Sequence, residues 1–254
     1  MKEEKNVYKK IVLITGAGRG IGRAVAIRFA NAGYITVLNS RTASELEDVT
    51  DEIEKLGVPS FYIAGDISKM DTAKRIFEKM KDISVRFNTE NVIDVLINNA
   101  GIAHIGLFQD MTPEEWEMVI STNLTSVFNT CHEAIPYMLR AGEGKIINIS
   151  SVWGICGASC EVAYSASKGG INALTRALAK ELAPSNISVN AIACGAIDTV
   201  MNSQLDEEER EQLEEEIPYG RMGKPEEAAE LCLKLAELPN YLTGEVMKLD
   251  GGWI

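Results

Sequence analysis

"KIVLIT" (residues 10–15) runs into "TGAGRGIG" (15–22), which opens "GIGRAVAIRFANAG" (20–33). The first stretch is a short, nearly continuous apolar run. The last carries apolar residues at helical spacing and ends at Gly33, a glycine suited to terminate a helix. Strand, glycine turn and helix in that order are the context in which backbone N–H groups at a positive helix end can hold a pyrophosphate. Gly16, Gly20 and Gly22 follow G-x-x-x-G-x-G, with Gly18 as an extra. Gly16, Gly18, Arg19, Gly20, Ile21 and Gly22 are therefore the expected dinucleotide contacts.

Outward from this unit, similar apolar runs recur: "YITVLNS" (34–40), "SFYIAG" (60–65), "VIDVLINNA" (92–100), "GKIINISS" (144–151), "ISVNAIA" (187–193) and "EVMKLDG" (245–251). Strands of this kind are covered on both faces. Helical patterns alternate with them, so the chain reads as an α/β, doubly wound parallel sheet. The helix "ASELEDVTDEIEKLG" ends at Gly57, and a long one starts with Thr112 as N-cap and Pro113 at its first position. No linker, repeat or low-complexity tract divides the chain, and residues 1–254 read as one domain.

The 254 residues are 46% hydrophobic, and 37 acidic against 25 basic residues give a net charge of −12. That balance argues against binding nucleic acid. Much of the acidity lies in "LDEEEREQLEEEI" (205–217), read as a solvated helix. The polar N-terminus is unlike a secretory signal, and no apolar run reaches the roughly 18 residues of a membrane span. A soluble, cytoplasmic protein is expected. Its five scattered cysteines argue against a disulfide framework, and Cys156 and Cys160, without a second pair, argue against zinc; no metal is expected.

The second strand ends in "LNSRT", which puts Ser40 and Arg41 where an NAD site usually carries a carboxylate for the ribose hydroxyls. A guanidinium there suits a 2′-phosphate, and Arg19 supplies a second charge, so NADP(H) is the expected cofactor. Asp66, with Ile67 beside it, follows the third strand, placed either to bond an adenine amino group or to cap a helix. Asn99, Ala100 and Gly101, in "NNAG" after the fourth strand, would let backbone approach the cofactor and brace neighbouring strands.

Tyr164 and Lys168, in "AYSASKGG" (163–170), stand one helical turn apart on one face. An ammonium beside a phenol favours the phenolate and lowers a pKa that starts near 10. Such a tyrosine can exchange a proton near neutral pH, while the lysine can also hold cofactor ribose hydroxyls. Ser151 ends the fifth strand, where ligand crevices form in open α/β sheets.

These motifs together resemble the short-chain dehydrogenase/reductase superfamily: "TGAGRGIG", "NNAG", "STNLTSVF", "SS" before "YSASK", and "YLTGEVMKLDGG". The resemblance covers nearly the whole chain. It implies a Rossmann fold with strand order 3-2-1-4-5-6-7, a homotetramer, and a catalytic tetrad of Asn123, Ser151, Tyr164 and Lys168. Hydride would pass between nicotinamide and a carbonyl carbon; Tyr164 would supply the proton, and Asn123 would support a water relay. Gly195, Ile197 and Thr199 keep the family spacing and would line the nicotinamide. Cys194 departs from it, standing where the family usually has proline. Relatives that only sense the dinucleotide typically lose the tyrosine or the lysine; both are present, which favours an enzyme.

Within the superfamily, "PYGRMGKPEEAAELCLKLA" looks most like 3-oxoacyl-[acyl-carrier-protein] reductases of fatty acid synthesis. Their usual carrier-facing arginines are replaced by Gly142 and Ser185, although Arg140 and Lys145 stand nearby. "GASCEVAYSASKGG" also resembles reductases of the 5-aminopentanone group on a lysine of elongation factor P. Sugar and hydroxysteroid dehydrogenases are further options. Of the other candidates, His104, Trp153 and Cys156 are expected near the pocket, His132 in packing or at an interface, and Trp253 at a neighbouring subunit.

Overall fold

The computed structural model describes residues 10–203 and 205–254. Its centre is one parallel sheet with strands in the order 3-2-1-4-5-6-7. They are β1 (Ile11–Thr15), β2 (Ile35–Ser40), β3 (Ser60–Ala64), β4 (Val95–Asn98), β5 (Gly144–Ser151), β6 (Ile187–Cys194) and β7 (Val246–Leu249). Connecting them are α1 (Gly20–Asn31), α2 (Ala43–Lys55), α3 (Met70–Phe87), α4 (Pro113–Ile120), α5 (Ser126–Ala141), the short α6 (Trp153–Cys156), α7 (Val162–Leu182), α8 (Glu207–Glu216) and α9 (Pro225–Glu237).

β1 shows why the sheet is wound on both sides. Its side chains alternate across the pleat: Val12 and Ile14 pack with Val25, Phe29 and Leu233, while Ile11 and Leu13 pack with Ile76, Phe77, Val127 and Ile171. Every residue of β1 and β6 is buried, so neither strand has a solvent-exposed face. The winding reverses between β1 and β4, and the crevice lies beyond the carboxyl ends of the strands.

Two elements differ from the sequence reading by more than a terminal residue or two. β4 begins only at Val95 because the Asp94 carboxylate accepts Ile11 N–H at 2.6 Å and Asn91 Nδ2 at 2.9 Å, tying the approach as a turn. The long helix starts as expected, with Thr112 and Glu115 forming a reciprocal capping box. It does not run on unbroken, however. A π-helical turn over Ser121–Thr125 separates α4 from α5 and contains the buried Asn123. Such single-turn widenings admit one extra residue and are frequent at functional sites. The acidic stretch forms α8, whose residues are none of them buried.

Candidate active site

A crevice of about 850 Å³ runs from the glycine turn to the N-terminal part of α7. Eighteen of the sequence-predicted site residues line it: Gly16, Gly18, Arg19, Gly20, Ile21, Ser40, Arg41, Asp66, Ile67, Asn99, Ala100, Gly101, Ser151, Tyr164, Lys168, Gly195, Ile197 and Thr199. Gly22 and Asn123 stand behind its wall. A Cβ at Gly22 would fall 2.1 Å from the Gly16 carbonyl oxygen, so that glycine lets α1 pack against the turn. Asn123 accepts Ile102 N–H at 2.8 Å and donates to Ile102 O at 2.9 Å and Ser167 Oγ at 3.0 Å. Its carboxamide thereby fixes the loop after β4 to α7.

The end of the crevice beside the glycine turn is built from strand termini. Asn99 Nδ2 donates to Thr15 O at 3.0 Å and Gly16 O at 3.1 Å, locking β4 to the glycine turn. Asp66 accepts Ser68 N–H at 3.0 Å as an Asx turn, and the residue flanking α3 is Lys69, so Asp66 is not that helix's cap. Arg19 faces a carboxylate that sequence reasoning did not single out: its Nη1 lies 3.8 Å from Glu45 on α2.

At the other end, Lys168 Nζ donates to Ile149 O at 2.8 Å and lies 5.5 Å from the Tyr164 ring centre. Burial lowers the Lys168 pKa to about 8. It raises that of Tyr164, against a hydrogen bond from Ser151 that favours the phenolate; the charge of Glu161 also raises it. The lowering expected from the neighbouring ammonium does not act on this phenol in the ligand-free site, where desolvation dominates. Cys194 pairs with Ser151 across β5 and β6, and burial pushes its thiol up to about 12, so it has little thiolate character.

The short chain dehydrogenase family matches residues 10–210. The chain belongs to that family. Its similarity to curated members covers nearly its full length. It is 40% identical over 251 residues to the 3-oxoacyl-[acyl-carrier-protein] reductase FabG of Aquifex aeolicus, covering 98% of this chain and 99% of that one. The FabG of Thermotoga maritima is 41% identical over 247 residues, 96% of this chain and 98% of that one. Among solved structures, a short-chain type dehydrogenase/reductase from Mycobacterium marinum superposes with a TM-score of 0.88 at 34% identity, over 97% of this chain and 96% of that one. The protein is thus an oxidoreductase acting on CH–OH or C=O groups, and its family membership implies a nicotinamide dinucleotide.

For a short-chain dehydrogenase, the end of this crevice beside Tyr164 has walls that the motifs did not reveal. His104 and Trp153 line it as expected, but exposed Cys156 does not. Trp253, expected at a subunit contact, packs on Trp153 of its own chain. Glu161, Leu205 and Leu213 also line the space, the latter two brought there by α8 and the loop before it. His132 is exposed against Phe128 and Glu133 rather than packed inside. Among the described residues, no cluster of three His, Cys, Asp or Glu side chains could hold a metal ion, and no helix is long and apolar enough to cross a membrane.

Proposed function

We propose that this protein is an NADPH-dependent reductase of a ketone, with Ser151, Tyr164 and Lys168 carrying the chemistry beside the cofactor. The observation behind this reading is the juxtaposition of Tyr164, Lys168 and Ser151 at one end of a crevice whose other end is a glycine turn. The bound nicotinamide supplies hydride. Ser151 holds the substrate oxygen, and Tyr164 gives its proton to that oxygen as negative charge develops there. Lys168 holds ribose hydroxyls and, once charged, favours the tyrosinate. Asn123 acts by positioning the Ile102 loop and α7, and its side-chain hydrogen bonds leave any water relay to its backbone carbonyl.

NADP(H) is favoured over NAD(H) by Arg41 and Ser40 after β2, with Arg19 exchanging Glu45 for the 2′-phosphate. The names of the Aquifex and Thermotoga relatives support a 3-oxoacyl thioester on acyl carrier protein as substrate. A second reading, reduction of an aminopentanone-modified lysine, is favoured by Gly142 and Ser185, which offer an acidic carrier no charge. Cytoplasmic location and a homotetramer complete the proposal; exposed Trp116, Met118 and Phe128 on α4 and α5 offer an apolar face for assembly, which light scattering would read. The deciding assay follows NADPH absorbance with acetoacetyl thioesters on coenzyme A and on carrier protein, simple ketones, sugars and a steroid, each repeated with NADH. Preference for the carrier-linked thioester supports the first reading. Weak activity on every thioester, with NADPH still preferred, moves the substrate to the second.

A further inference from the structure

Glu45 stands in the first turn of α2 and lines the crevice together with Gly18, Arg19, Ser40, Arg41 and Thr42. Its carboxylate lies against the glycine turn: a Cβ on Gly18 would fall 2.6 Å from Glu45 Oε2 and 3.2 Å from Ser40 Oγ. Arg19 Nη1 is 3.8 Å from the other oxygen of the same carboxylate, Oε1. The Arg19 side chain is 64% exposed and that of Glu45 33%, so the carboxylate is the more sheltered partner.

Neighbouring groups are committed elsewhere. On α2, Glu47 accepts the Tyr62 hydroxyl at 2.6 Å and Glu52 pairs with Arg23. Ser40 Oγ donates to Thr42 O at 3.2 Å. Among the described residues Arg41 has no ion-pair partner, and α2 begins without a side-chain hydrogen bond from Thr42. Glu45 is thus an acidic group set among two guanidinium groups and a helix N-terminus, all of which favour an anion.

A phosphate monoester such as a 2′-phosphate carries about −1.5 to −2 charges at neutral pH. To pair with Arg19 it must displace the carboxylate already there, and that carboxylate, anchored on α2, stays nearby as a like charge. A ribose hydroxyl meets no such conflict, because a carboxylate accepts a hydrogen bond from it. Glu45 therefore acts with opposite sign on the two nicotinamide dinucleotides.

We propose that Glu45 is a specificity-determining residue that limits cofactor choice: its carboxylate competes with the 2′-phosphate for Arg19 and keeps the preference for NADP(H) below what Arg19 and Arg41 would give alone. The inference rests on the NADP(H) reading of this end of the crevice and names the group that opposes that choice. An exposed ion pair and a like-charge contact of this kind together change a binding ratio by about three- to tenfold.

Calorimetric dissociation constants of NADP⁺ and NAD⁺ for the full chain test it without turnover. In Glu45→Gln, which keeps the side-chain shape, the ratio Kd(NAD⁺)/Kd(NADP⁺) is expected to rise by about three- to tenfold, and by less in about 1 M salt, where charges are screened beyond roughly 3 Å. Arg19→Gln is expected to lower the ratio. Adding Glu45→Gln to it should then change the ratio less than in the parent, since the charge competed for is gone. The ratio cancels any loss common to both ligands, and unfolding temperatures check the fold of each variant. An unchanged or lowered ratio in Glu45→Gln, or a rise as large without Arg19, overturns the proposal. A parent that binds NAD⁺ more tightly overturns the NADP(H) reading, while a rise in Glu45→Gln still sustains the role of Glu45. A parent that prefers NADP⁺ with a ratio indifferent to Glu45→Gln leaves that reading standing and overturns the inference alone. Binding of neither dinucleotide overturns both.

Discussion

At the scale of single residues, burial acts on Tyr164 and Lys168 in opposite directions, suppressing both charges before ligand binds. Tyr164→Phe removes the transferable proton and little volume, so kcat is expected to fall by about 10²–10⁴-fold, while NADPH fluorescence still reports cofactor binding. Lys168 makes a pH prediction. Its pKa is about 8 when folded, against the ordinary 10.5 of a lysine. Below pH 8 both states carry the proton, and the buried charge destabilises the fold. Between those two values the unfolded chain holds the proton that the folded one has released, so this group's contribution to stability rises with pH. Ligand-free Lys168→Met is therefore expected to be more stable than the parent at pH 7, by on the order of a few kcal/mol in denaturant unfolding, with the gap closing towards pH 10. A gap that does not change with pH would show that Lys168 is charged or neutral alike in both states.

At the scale of elements, the site depends on how α6 is laid against α7. A Cβ at Gly154 would fall 2.6 Å from the carbonyl carbon of Lys168 and 2.8 Å from its Cβ, so the two helices meet where only glycine fits. Gly154→Ala is expected to cost about 1–3 kcal/mol in urea unfolding and to lower turnover, because the displaced helix carries Tyr164 and Lys168. Unchanged stability would mean that α6 yields without moving α7. The outline of these elements was readable: β5 spans the same residues as the apolar run that announced it, and Thr112 caps α4 through its hydroxyl. The π-helical turn at Asn123 was not, since the local pattern is helical throughout and the widening accompanies bonds from its side chain to Ile102 and Ser167, residues 21 and 44 positions away.

At the scale of the molecule, two apolar layers on opposite faces of one sheet support a crevice at the strand ends, so ligand affinity and global stability are linked. At 100 times its Kd, NADPH adds about 2.7 kcal/mol to the folded state, and a chain of this size should melt roughly 5–10 °C higher. The same experiment with NADH at equal concentration measures cofactor choice without turnover. Equal shifts would remove Arg19 and Arg41 as discriminators. One cooperative transition is expected for the single domain read from the sequence; two separated transitions would divide it.

The sequence alone determined the parallel sheet and its glycine turn, because buried strands, helix termini and tight turns are encoded in residues close together along the chain. It also placed Ser151, Tyr164 and Lys168 at the crevice, because a strand end and a single helical turn are local geometry. Tertiary structure alone decided that Gly22 and Asn123 brace the wall rather than line it, and that Glu45 faces Arg19. It alone brought Trp253 from the chain's end onto Trp153. Those pairings join segments up to about a hundred residues apart, and their geometry arises only when packing closes both layers onto the sheet.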